Sequence, residues 1–293
     1  MNAFNSKLAL ALGILCISIF PILVKLQLTS SLISAFYRMF IAAVLLLPYV
    51  LFTKKFQLPK TKILFLAIVC GIVFAIDIAI WNIAIQKSSA TQATLLANLS
   101  PVWVGMGSFF LLKNKPSANF WIGTTVALLG MITLVGFEIF TQLNFDLAFI
   151  LAVLSGILYA AYLLISKTIL SQVDVLSFMS IVLLSSSLFL GLVCGITAEN
   201  FTGFSNTAWL VLFVQGAICQ LTAWLLISYA MQNMRATRVT LSLLGQAVLA
   251  TIFAWLFLDE KITFQMILGG LILLLGIRIT FYNKVIMDFK SLK

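Results

Sequence analysis

Ala84-Ile85-Gln86-Lys87-Ser88-Ser89-Ala90-Thr91-Gln92-Ala93-Thr94-Leu95 and Ala230-Met231-Gln232-Asn233-Met234-Arg235-Ala236-Thr237-Arg238-Val239-Thr240-Leu241 are two copies of one segment, 146 residues apart. Ala84, Gln86, Ala90, Thr91, Thr94 and Leu95 recur in register as Ala230, Gln232, Ala236, Thr237, Thr240 and Leu241. The register continues without a gap: Val102, Leu112, Lys115, Gly123, Leu128, Leu129 and Gly130 return as Val248, Leu258, Lys261, Gly269, Leu274, Leu275 and Gly276. The chain is a tandem duplication. Each copy holds five apolar spans, and an odd number forces the second copy to enter a membrane upside down relative to the first.

Composition puts both copies in a bilayer. With 62% hydrophobic and 9% charged residues and a mean hydropathy of +1.16, 293 residues have too little polar side chain to coat a soluble globule. Cys16, Cys70, Cys194 and Cys219 lie in apolar runs without CxxC or Cys/His spacing, which makes them packing residues; no metal and no cofactor is expected. The net charge of +10 is carried mostly between spans, so it reads as topology rather than as a nucleic-acid surface. Lys7 followed by the apolar run from Leu8 to Val24 resembles a signal peptide, but the run is long, is broken by Pro21 and lacks a small-x-small cleavage site. It is read as a retained first helix.

At about 20 residues per crossing, the first copy, 1–140, predicts helices near 8–26, 32–52, 63–85, 91–112 and 119–137. The second copy, 145–293, predicts 147–169, 175–196, 206–230, 238–258 and 263–283. The expected fold is therefore an all-α integral membrane protein of ten transmembrane helices, built as two inverted five-helix repeats. Connections are too short for a soluble catalytic domain. A cytoplasmic N-terminus gives the inner face fourteen of the eighteen cations, among them Lys7, Lys54, Lys55, Lys60, Lys62, Arg235 and Arg238. The outer side receives Glu138, Asp146, Glu199, Asp259 and Glu260. By the excess of basic residues on the inner face, both termini are cytoplasmic in a multi-pass bacterial inner-membrane protein.

Asp77 is the one carboxylate well inside a predicted span, roughly 12 Å from its outer end by helical rise. A charge there needs a partner or water. Arg38 lies at a matching depth in the second span, so the two either form a structural ion pair or serve substrate or proton binding. Phe74 and Trp81 share the helical face of Asp77, which sets a carboxylate between aromatic surfaces suited to an ammonium group or a planar ring. In the second copy Ala223 and Trp224 align with Asp77 and Ile78, with Gln220 one turn before Trp224. Asn98, Ser100 and Gln246 in spans four and nine and Asn82 near the end of span three add buried amides and a hydroxyl that join helices or meet substrate. Pro101 is expected to kink span four beside Asn98. Lys25, one turn after Pro21, is either a coupling charge or a side chain reaching the interface, and Arg278 is read as the latter. Gly105, Gly107, Gly123, Gly130, Gly269, Gly270 and Gly276 are assigned to close helix packing.

These residues resemble the EamA-type carriers of the drug/metabolite transporter superfamily. The resemblance is carried by Ala84 to Gly130 with Pro101, Gly123 and Gly130, and by Tyr229 through Ala236-Thr237-Arg238-Val239 to Leu258-Asp259-Glu260-Lys261 and Gly269; Lys25 and Arg38 also match common basic positions. It departs at Gln246-Ala247, where the family often has Glu-Pro, and at Lys113-Asn114, where it often has Gly-Glu. What the resemblance implies is export of amino acids or related metabolites, with import of a nucleoside-like or adenosyl metabolite as the alternative.

Three function classes compete. A secondary carrier fits the inverted repeats, the absence of a GxxxxGK loop and the few polar residues at mid-span. A lipid-modifying membrane enzyme is opposed by the lack of any histidine and the single intramembrane carboxylate. A pore is usually marked by rings of like residues from a symmetric oligomer, which one chain cannot show and a two-repeat monomer does not need. The reading is a carrier, working as a monomer in the lipid bilayer on a small-molecule metabolite, with Asp77, Trp81, Asn98, Gln220, Trp224 and Gln246 binding substrate and no catalytic residue. Reporter fusions after Lys62, Glu138 and Lys293 should report inside, outside and inside. A cytoplasmic signal at Glu138 would make the repeats parallel and sink the topology.

Overall fold

The computed structural model describes residues 3–87, 96–112, 115–136, 146–258 and 261–282, and these are helical with no strand among them. In chain order they form α1 (Ala3–Ile17), α2 (Phe20–Lys25), α3 (Ser31–Phe52), α4 (Thr61–Lys87), α5 (Ser100–Leu111) and α6 (Ala118–Val135). The second half forms α7 (Leu147–Leu170), α8 (Val175–Ile196), α9 (Asn206–Val214), a π-helical segment (Gln215–Thr222), α10 (Ala223–Asn233), α11 (Ala236–Leu243), α12 (Gly245–Leu258) and α13 (Phe264–Ile279). Eight continuous or near-continuous helical runs among the described residues are long and apolar enough to cross a membrane; α5 and α13 are shorter apolar helices. The protein is a multi-pass membrane protein. Glu138, Asp259 and Glu260, used above for orientation, lie outside the described residues, as do Lys113, Lys284, Lys290 and Lys293, which are among the fourteen inner cations, and 88–95 of the fourth expected span.

Side-chain caps set where the helices start. Ser30, Ser117, Asp146, Asp174, Ser205 and Thr263 each accept a hydrogen bond from the backbone N–H three residues on, satisfying a donor that the first helical turn leaves free. Ser117 and Thr263 occupy the same register position of the two copies. Outward faces carry large apolar side chains, such as Phe110 at 90% exposure and Phe52 at 88%, which is the surface that lipid solvates.

The interhelical contacts exchange partners between the halves. α1 packs on α10 and α4 on α7, while α3 meets α8 and α6 meets α13. At the last crossing the glycines meet crosswise: a Cβ on Gly123 would stand 2.6 Å from the carbonyl oxygen of Gly276, and one on Gly130 would stand 2.8 Å from that of Gly269. No side chain fits there. Gly130→Val should therefore force the two backbones apart and destabilise the protein by about 1–3 kcal/mol, read as a lowered melting temperature in detergent. An unchanged melting temperature would mean that the two helices are free to separate.

Candidate functional site

Three interruptions of helical backbone surround the middle of the bundle. The first expected span breaks at Ser18-Ile19, immediately before Pro21 in the first turn of α2. The fourth breaks in a turn at Asn98-Leu99, and the ninth at Leu244, which is 146 residues beyond Asn98. Pro101 thus does not bend a continuous helix, as the sequence suggested: it sits in the first turn of α5, where the missing N–H costs nothing. The eighth span carries the π-helical segment, which adds a residue to the turn and rotates Gln215 and Gln220 into the interior, both at 2% exposure or less.

The breaks frame a cavity of about 100 Å³ bounded by both halves. Its charged members are Arg38 and Asp77, at 3% and 5% exposure. Arg38 Nε donates to Gln220 Oε1 at 2.7 Å, and its guanidinium carbon lies 3.7 Å from the centroid of Phe20. Asp77 Oδ1 accepts from Ser155 Oγ at 2.6 Å. A direct Arg38–Asp77 ion pair, expected from their matching depth, does not form among the described residues. A neutral amide from the π-helical segment and a hydroxyl from α7 satisfy the two charges instead, and both still face the cavity.

Aromatic rings make the walls. Phe20 stacks on Trp81 at 5.4 Å, Phe74 on Tyr162 at 4.0 Å, and Trp224 meets Phe74 and Tyr159 edge-on at 4.8 and 6.0 Å. Trp224 Nε1 is buried without a hydrogen-bond partner among the described residues, as are Gln220 Nε2 and the Tyr162 hydroxyl. Gln246 Nε2 donates to Asn98 Oδ1 at 3.4 Å, bridging the two helix breaks.

Of the residues singled out from sequence, Asp77, Trp81, Asn98, Trp224 and Gln246 all line the cavity, and Gln220 stands behind it holding Arg38. Lys25 ends α2 exposed and does not line it. Asn82 ties α4 to the start of α3 through Ser31 O at 3.0 Å, and Ser100 is buried at the start of α5 away from the lining. Sequence reasoning missed Ser155 and Tyr159. Their signal was present: Ser155, Tyr159, Tyr162 and Ser166 recur at helical spacing along an apolar span.

An apolar helical bundle around a charged, aromatic-walled cavity is an arrangement that fits a membrane transporter. The chain belongs to the EamA-like transporter family, whose sequence profile matches it twice, over residues 6–136 and 146–282. It is similar to an uncharacterized transporter of Archaeoglobus fulgidus, 24% identical over 84% of this chain and 86% of the relative. The uncharacterized transporter YdfC of Bacillus subtilis is 24% identical over 88% of this chain and 86% of its own length. A solved crystal structure at 15% identity superposes with a TM-score of 0.79 over 96% of this chain and 98% of that one, a likeness of fold.

Gln220→Leu should leave the buried guanidinium without its amide and lower stability by about 1.5–3 kcal/mol, the range for hydrogen bonds to charged groups. Combined with Arg38→Met, the loss should be smaller than the sum of the single losses, because the uncompensated charge is gone. Strict additivity in thermal unfolding would separate the two residues.

Proposed function

We propose that the chain is a secondary transporter that moves amino acids or related metabolites out of a bacterial cell by alternating access. The observation that carries this reading is the cavity, where a carboxylate and a guanidinium, each with a neutral protein partner, share aromatic walls. Such a site suits a zwitterion: Asp77 accepts an ammonium, Arg38 donates to a carboxylate, and Trp81, Phe20 and Trp224 cover the remainder. A volume of about 100 Å³ lies below the ~300–1,000 Å³ of sites for drug-sized ligands. That favours an amino acid over a nucleoside-like or adenosyl metabolite.

Two inverted five-helix halves, 1–140 and 145–293, complete the proposal. The crosswise glycines of α6 and α13, and the reciprocal pairs α1 with α10 and α4 with α7, are the contacts that a two-fold exchange of halves requires. The register-equivalent breaks at Asn98-Leu99 and Leu244 support the same reading, since carriers of this kind build their sites on discontinuous helices. Ten crossings follow when α5 and α13 each complete one. Both termini then lie in the cytoplasm of an inner-membrane monomer.

Purified protein in liposomes, loaded with radiolabelled amino acids or nucleosides and assayed for efflux and counterflow, tests the proposal. Asp77→Asn should slow an ammonium-bearing substrate at least tenfold and change a neutral one little. Wild-type rates in folded Trp81→Ala, Asn98→Ala and Gln246→Ala would remove the site while leaving the carrier.

A further inference from the structure

We infer that Gln86 and Gln232, the glutamines of the duplicated segment, are positioning residues for the transport cycle, each clasping one end of the bundle shut. The inference rests on the inverted-repeat carrier reading above.

Both side chains stand at the C-terminal end of the third long helix of their half, and both reach the connection between that half's first two helices. Gln232 Nε2 donates to Leu170 O at 3.1 Å and to Val173 O at 3.2 Å, across the end of α7 and its link to α8. Gln86 Nε2 donates to Thr29 O at 3.5 Å, in the link between α2 and α3, while its Oε1 accepts from Ser31 Oγ at 2.5 Å. The same amide in the same register thus reaches the corresponding link in each copy, through partners that are not themselves register-equivalent. An inverted second copy puts the two ties on opposite faces of the membrane.

Neighbours reinforce each tie. Lys167 Nζ donates to the carbonyls of Met231, Gln232 and Met234 at 2.7, 3.2 and 2.8 Å, satisfying acceptors that the end of α10 leaves free. Asn82, like Gln86, ties α4 to the start of α3, and the Phe20–Trp81 stack joins α4 to α2. The tied helices carry the cavity: α4 holds Asp77 and Trp81, and α10 holds Trp224. Opening either end must therefore release that end's glutamine and swing a cavity wall, while the other clasp stays closed.

Because the clasps sit at opposite ends, their loss must act in opposite directions. A merely structural role would lower stability and leave the direction of access alone. The test places one reporter thiol in the cavity, Ala250→Cys, in a chain whose four native cysteines are replaced by alanine or serine. Labelling by a membrane-impermeant maleimide is timed in right-side-out and inside-out vesicles. Gln86→Met, which keeps length and removes the amide, should speed labelling from outside relative to inside about fivefold, the population shift of one net hydrogen bond. Gln232→Met should speed labelling from inside by at least as much, and the double variant should return toward the parent ratio. Gln→Asn at each position, which withdraws the amide by one methylene, supplies a second pair should a methionine variant misfold. Shifts in the same direction, no shift, or a double variant farther from the parent than either single would overturn the clasps. The reporter fusions remain the separate test of the inverted topology on which they rest.

Discussion

Burying the guanidinium of Arg38 is the constraint around which the centre of this bundle is arranged. An unpaired charge removed from water costs several kcal/mol, and an apolar helix bundle offers few groups to offset it. The chain answers from three directions. Phe20 lays a ring face under the cation, Gln220 brings an amide oxygen to Nε, and the cavity opens on the rest. Each answer required a departure from regular helix. Phe20 begins α2 after the break at Ser18-Ile19, and Gln220 is turned inward by the π-helical segment. Asp77 is met in the same manner by a hydroxyl from the other half of the chain.

Satisfying two charges with neutral partners supports the substrate site proposed above. A locked Arg38–Asp77 ion pair would spend each charge on the other and leave a ligand little to gain. Held separately by Gln220 and Ser155, both keep hydrogen-bonding capacity directed at the space between the halves. Asn98 and Gln246, beside the interruptions at Asn98-Leu99 and Leu244, add amides to that space, and next to the first of them Gly156 packs where a Cβ would stand 3.1 Å from the carbonyl of Ala97. At the far side, the glycine crossing of α6 and α13 leaves no room for side chains and anchors the halves together. The protein therefore combines a tightly packed seam, an irregular centre and helix ends tied by glutamine hydrogen bonds.

The sequence alone determined the class of the protein, its duplication and most of its cavity. A 146-residue register and 62% hydrophobic residues leave little freedom, because a backbone in hydrocarbon must bond to itself and only helices of known length do so within one segment. Polar residues inside apolar spans are costly and few, so Asp77, Trp81, Asn98, Trp224 and Gln246 could be singled out and do meet in one cavity. Tertiary structure decided which partner each polar group takes. Depth along a helix predicts that Arg38 and Asp77 lie level, but the azimuth of each helix is set by packing, and a π-helical turn invisible in residue spacing carried Gln220 to Arg38 instead. Ser155 escaped notice for the same reason: one hydroxyl in an apolar helix has no meaning until a neighbouring helix brings a carboxylate within 2.6 Å of it.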